Sequence, residues 1–246
     1  MRAATHIGTS GWQYKHWKGV FYPHALKARD WLAYYAEHFD CVELNSSFYG
    51  MPADDTIAGW CERVPSAFSF AVKAPRRITH FKKLKNCEPE LDELFRRLQA
   101  FGHHLGPLLF QLPPRWRCNM HRLESFLDSL PSEQRLAFEF RDPSWHNDDV
   151  YALLAHRSAA FCIYDSGGFT TPLVDHGGLV YVRLHGPRAA FASTYRAPRL
   201  RRWIDRAQAW NRRGKEVFLF FNNDEKGYAV KNGTRSIGLL KAAQQA

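Results

Sequence analysis

The sequence contains no C-x-x-C pair. Its five cysteines, Cys41, Cys61, Cys87, Cys118 and Cys162, are odd in number and widely scattered. That pattern argues against a disulfide framework and a structural zinc site, and it suits a reducing compartment. No apolar run approaches the length of a membrane span, and MRAATHIGTS at the start lacks the apolar core of a signal peptide. A soluble cytoplasmic protein with no membrane partner is therefore expected. No G-x-G-x-x-G follows the first strand-like segment, so the dinucleotide fingerprint is missing. H-E-x-x-H and H-x-H runs are missing too. Without a Pro/Gly/Ser-rich linker or a break in composition, residues 1–246 read as a single domain.

What is present is a core-forming composition, 45% hydrophobic and 15% aromatic, which leaves disorder out. The 34 Lys and Arg outnumber the 24 Asp and Glu, 34 − 24 = +10. That surplus attracts anions, whether phosphorylated metabolites or nucleic acid. A merely solvated basic surface would have the same total.

Short apolar runs bounded by Gly, Pro or Asp recur at 5–10, 41–48, 68–75, 106–113, 135–143, 159–166, 179–186 and 216–224. Their length and their β-branched and aromatic content predict buried strands. Between them lie segments with helical spacing at 30–39, 54–64, 87–101, 120–130, 147–157, 200–214 and 232–245. In the third of these, Leu91, Leu94, Phe95 and Leu98 keep to one face. Alternation of this kind implies parallel strands with helical crossovers, in an open sheet or a closed barrel. Eight units in this length, with no visibly polar edge strand, favour a single (β/α)8 TIM barrel.

Alternate side chains of a strand face opposite ways. One set is apolar throughout: Val42 and Leu44, Phe68, Phe70 and Val72, Leu108, Phe110 and Leu112, Phe138 and Phe140, Val180, Val182 and Leu184. The other carries Glu43 and Asn45, Lys73, Gln111, Glu139 and Arg141, Arg183 and His185, joined by Asp165 and by Asn222, Asn223 and Asp224. All sit at the C-terminal ends of their strands, where barrel enzymes assemble active sites. Buried charge must pair, bind a ligand or meet water. An internally neutralised polar plug is the structural alternative to a site.

The following loops add basic residues among aromatics: Arg76, Arg77, His80, Lys82, Lys83 and Lys85, then Arg115 and Arg117, then Arg188, Tyr195 and Arg196. Such a mixture suits phosphate contacts with stacking on a base or sugar. GWQYKHWKGVFYP, after the first strand, is either a cover over the barrel mouth or a packed aromatic corner.

IGTSGWQYKHWKGVFYP, VELNSSFYGMP, FAVKAPRRITH, GPLLFQLPP, AFEFRDPSW, VYVRLHGP and FNND resemble, segment for segment, the YecE-like family (domain of unknown function seventy-two). The resemblance runs from about residue 5 to about residue 240. It implies a TIM barrel and adds nothing about the reaction. Its motif positions fall on the polar strand-end residues above, and Asn232 in GYAVKNGTR also matches.

The residues point first to an enzyme acting on a small anionic or phosphorylated ligand. Lys73, Arg141, Arg183 and Arg76 would bind the anion, with Glu43, Glu139 and His185 as proton carriers. Asn45, Gln111, Asn222, Asn223, Asp224 and Tyr195 would orient the rest of the ligand. Lys73 could instead form a Schiff base. No cofactor is called for. A divalent metal on Glu43, Glu139, Asp165, His185 and Asp224 defines a second reading, a phosphoesterase. A non-catalytic nucleic-acid-binding barrel is the third.

Overall fold

A computed structural model describes residues 4–245. Residues 1–3, part of the segment read above for a targeting signal, and residue 246 lie outside them. The strands are β1 Thr5–Thr9, β2 Cys41–Leu44, β3 Ser69–Lys73, β4 Leu105–Gln111, β5 Leu136–Glu139, β6 Ala160–Ser166, β7 Phe169–Thr170, β8 Leu179–Gly186 and β9 Glu216–Phe221. Their order is β1-β9-β8-β6-β5-β4-β3-β2, and a parallel bridge from Ser10 to Glu43 links the first strand to the second. This is a (β/α)8 TIM barrel. The two-residue β7 stands outside that order as an antiparallel partner of β6.

The helices are α1 Trp31–Ala36, α2 Asp54–Cys61, α3 Glu88–Leu98, α4 Met120–Asp128, α5 Asp148–His156, α6 Ala197–Arg212 and α7 Tyr228–Gln245. Two of them start on a side-chain cap. Asn119 caps α4 by accepting from Arg122 N (2.9 Å), and Asn147 caps α5 by accepting from Val150 N (3.0 Å). In α3, Glu88 and Glu90 occupy the first turn and Arg96 and Arg97 the last, as the helix dipole favours. At the start of α6, Arg196 occupies the cap position without a side-chain cap, and no acid follows in the first turn. No helix among the described residues is long and apolar enough to cross a membrane.

Two predicted strands end early. The run at 41–48 leaves the sheet after Leu44, because Ser47 donates to Leu44 O (2.8 Å) and Lys73 O (2.7 Å), folding Ser46–Phe48 into a 3-10 turn. Asn45 therefore stands just past its strand, where strand parity no longer applies. Arg141 likewise lies two residues beyond the end of β5.

The chain divides into two compact units. One comprises the chain up to Glu43, Ile163–Thr171 and Val180 onward; the other is Leu44–Cys162 with Pro172–Leu179. In the first, α6 buries Leu200, Trp203, Ile204, Ala207 and Trp210, and α7 packs on β1 and β9. Gly233 lets α7 approach closely, since a Cβ there would lie 2.7 Å from the Phe39 ring. The segment after β1 is a packed aromatic corner, with Trp12, Trp17 and Tyr22 buried and Tyr22 stacked on Trp31 at 4.8 Å. In the second unit Phe110, Phe126 and Phe138 form one aromatic layer, and Phe140 stacks on Trp145 at 4.9 Å. Of the apolar residues read from strand parity, Phe110 and Phe138 thus meet Phe126 of α4, and Phe140 meets Trp145.

Candidate active site

The polar strand-end residues separate by depth. Glu43, Glu139, Arg183, His185 and Asn223 are each at most 1% exposed. Asn45, Lys73, Gln111, Arg141, Asn222 and Asp224 keep part of their surface in water.

In the first unit, the Glu43 carboxylate accepts three hydrogen bonds, from Ser10 Oγ (2.6 Å), Tyr181 OH (2.6 Å) and Arg183 Nη2 (2.8 Å). The buried charge is thereby both paired and hydrogen-bonded, the condition under which such a group is tolerated. Tyr14 donates to Ser10 O (2.6 Å), and its phenol is pushed up to about 12 by burial, reinforced by Asp224 and Glu43.

The three residues after β9 turn to three different partners. Asn222 Nδ2 lies 3.1 Å from His185 Nδ1, and the His185 ring packs against Tyr164 and Phe191. Asn223 Nδ2 donates to Ser193 O (2.7 Å) and Asn232 Oδ1 (2.9 Å). Asp224 accepts from Trp17 Nε1 (2.6 Å) and pairs with His16 Nε2 (2.9 Å). Burial raises the Asp224 carboxyl to about 6, against the opposing pull of Trp17 and His16. A carboxyl held near neutrality at the C-terminal end of a barrel strand is equipped to exchange protons.

Asp165, at the end of β6, accepts from Tyr195 OH (2.8 Å), from Thr170 Oγ1 (2.9 Å) and from Arg199 Nη2 (2.5 Å). Tyr195 OH also accepts from Gly186 N (3.0 Å). Tyr195 is buried, so its ring is a brace rather than a surface for stacking.

In the second unit, the β4–β5 register sets Gln111 beside Glu139. Glu139 accepts from Arg141 Nε and from Cys162 Sγ (3.7 Å). Lys73 Nζ sits 4.1 Å above the Phe48 ring. His80 packs edge-on against the same ring, and its imidazole is lowered to about 4 by burial and by the charges of Lys73 and Arg76. Arg76 is exposed, with its guanidinium 5.1 Å from the Tyr49 ring and 5.3 Å from the Phe81 ring. It lies beside one π-helical turn, Arg77–Phe81, in a stretch the sequence suggested was simply a loop.

Several participants carried little sequence signal. Tyr181 shares the parity of Arg183 and His185 and was open to the same argument. Ser10, His16 and Arg199 were not, since a serine at a strand end and charges in a turn or helix are commonplace. Among the described residues, no group of three or more His, Cys, Asp and Glu side chains is placed to hold a metal ion.

A family profile described as "Protein of unknown function DUF72" matches residues 6–246. The chain belongs to the DUF72 family. Over 115 residues it is 34% identical to UPF0759 protein YecE of Escherichia coli K12, covering 45% of this chain and 41% of YecE. That alignment thus spans less than half of YecE. UPF0759 protein YunF of Bacillus subtilis is 25% identical, across 96% of this chain and 94% of YunF. The crystal structure of a DUF72 protein from Thermotoga maritima superposes with a TM-score of 0.86 at 28% identity, covering 98% of this chain and 99% of that one. A DUF72 protein from Enterococcus faecalis, 18% identical with a TM-score of 0.82, covers 97% and 96% and shares the fold. The expected family and barrel are both met, and none of these DUF72 names states a reaction.

Proposed function

We propose that the protein is an enzyme that transfers a proton on an anionic substrate at the C-terminal ends of β8 and β9. The supporting observation is Asp224, a carboxyl raised to about 6 and paired with the half-exposed His16. Proton carriers work best when their pKa lies near the working pH. Asn222, partly open to water and bonded to His185, would orient neutral parts of the substrate.

Glu43, held by three donors, suits a supporting role that fixes the Arg183 side chain and neutralises its charge. Glu139 plays the same part toward Arg141 in its own unit. Hydrolysis, isomerisation and elimination share this chemistry. The metal-dependent alternative has no ready ligand set among the described residues.

The test starts from a thermal-shift screen of phosphorylated metabolites and oligonucleotides, because a ligand specific to the folded state raises the melting temperature. For a hit that turns over, Asp224→Asn is expected to lower kcat by roughly 10²–10⁴ while leaving affinity nearly intact. Unchanged turnover would remove Asp224 from the chemistry.

A non-catalytic nucleic-acid-binding barrel remains the second reading. It is favoured by Arg76 between Tyr49 and Phe81, whose rings are 73% and 69% exposed. It requires binding that weakens steeply with salt, and tolerance of Asp224→Asn.

A further inference from the structure

The chain leaving β8 turns sharply at Gly186, where φ is +118° and a Cβ would lie 2.5 Å from Ala189 O, so there is no room for a side chain. Beyond it, the loop and the start of α6 enclose a cavity of about 490 Å³. Its polar walls are Arg188, Arg196, Arg199, Arg202, Ser193 and Thr194, and no carboxylate lines it among the described residues.

The walls are held in place from behind. Arg199 is anchored on the buried Asp165 and lies over the Tyr195 ring. Ser193 Oγ accepts from Arg188 N (3.0 Å) and Ala189 N (3.3 Å). Asn232 donates to Thr194 Oγ1 (3.2 Å) and Tyr195 O (3.2 Å), and accepts from Tyr195 N (3.0 Å).

This arrangement runs against local stability. Arg196, Arg199 and Arg202 recur every third residue from the cap of a 16-residue helix into its second turn; the dipole opposes the first two, Asp165 compensates only Arg199, and the like charges repel one another. A chain that breaks a local rule at one well-braced place points to a ligand there. An anion would offset the repulsion among these arginines and would meet the helix start with the favourable sign. Guanidinium groups converging from a loop and a helix match the several oxygens of a phosphate, which they grip bidentately. The cavity also lies beyond β8 and β9, the last two barrel strands along the chain, beside a helix N-terminus, where barrels often seat phosphate.

We infer that this cavity binds the phosphate group of a small phosphomonoester. The inference rests on the proposed function only in making that phosphate part of the substrate.

The probe is inorganic phosphate, titrated by calorimetry into the full chain against sodium chloride of matched ionic strength. Saturable binding is expected, reduced at least tenfold in Arg196→Gln/Arg202→Gln, whose positions are exposed and outside the core. Without phosphate, that double variant should melt no lower than the parent, because the repulsion is relieved. Failure of the parent to bind phosphate, an equal response to chloride, or undiminished binding by the double variant would each overturn the assignment. Asp224→Asn separates the two proposals: it should bind phosphate like the parent. If it also turned over a substrate like the parent, the proton-transfer reading would fall while the phosphate site stood.

Discussion

Arg183 and Glu43 form an ion pair at 2.8 Å in which both side chains are shut away from water. Such a pair adds little net stability over an apolar replacement, yet breaking it is costly. Glu43→Gln leaves the Arg183 charge buried, so a loss of about 3–5 kcal/mol is expected in denaturant unfolding. Adding Arg183→Met should restore part of it. A single variant as stable as the parent would show that water reaches the pair.

Tyr195→Phe removes one hydroxyl that donates to Asp165 and accepts from Gly186 N. Both partners are buried, and an orphaned buried polar group costs about 1–3 kcal/mol. The same measurement should show a loss in this range.

His6, at the N-terminal end of β1, contributes a pH dependence of its own. Burial works against its charge, but hydrogen bonds to Asp40 and Glu216 outweigh burial and raise it to about 9. Because the folded pKa exceeds the unfolded value, its stabilisation is complete below about pH 6.5 and is lost as pH rises through about 9. Melting temperatures recorded between pH 6 and 10 should decline more in the parent than in His6→Gln. Parallel curves would contradict the pairing.

Asp224 behaves in the same sense lower on the scale. Its carboxyl rises from 3.8 to about 6 on folding, so the folded state holds the proton more tightly. The contribution is present below about pH 4 and is lost as pH rises through about 6. The stability difference between the parent and Asp224→Asn should change across that window and stay level above pH 7. A flat difference throughout would mean the carboxyl titrates normally.

The barrel was readable from sequence because its two periodicities are strong. Phe138 and Phe140 alternate with Glu139 and Arg141, and Leu91, Leu94 and Leu98 mark a helix face. Strand ends were less readable, as at Ser47, whose hydroxyl takes over carbonyls that a longer strand would use. Parity grouped the polar strand-end residues but did not give their depth. Glu43 and Asp224 both look like strand-end carboxylates, yet one is saturated by three donors and the other has an elevated pKa beside His16. That difference comes from Ser10 and Tyr181, which donate to Glu43, and from burial of Asp224 that outweighs the pull of Trp17 and His16, all of these residues being remote in sequence from the carboxylate they meet.

The five cysteines form no disulfide and are unequally placed: Cys41, Cys87 and Cys162 are buried, while Cys61 and Cys118 are partly open. Burial also pushes the Cys41 thiol well up, and its carbonyl would lie 2.3 Å from a Cβ at Gly8, so strand and thiol are closely boxed in. An alkylating reagent added to the native chain should therefore find two prompt targets and three that answer only when the fold opens. The rate at which those last three are trapped gives the protein an internal stopwatch for its own unfolding.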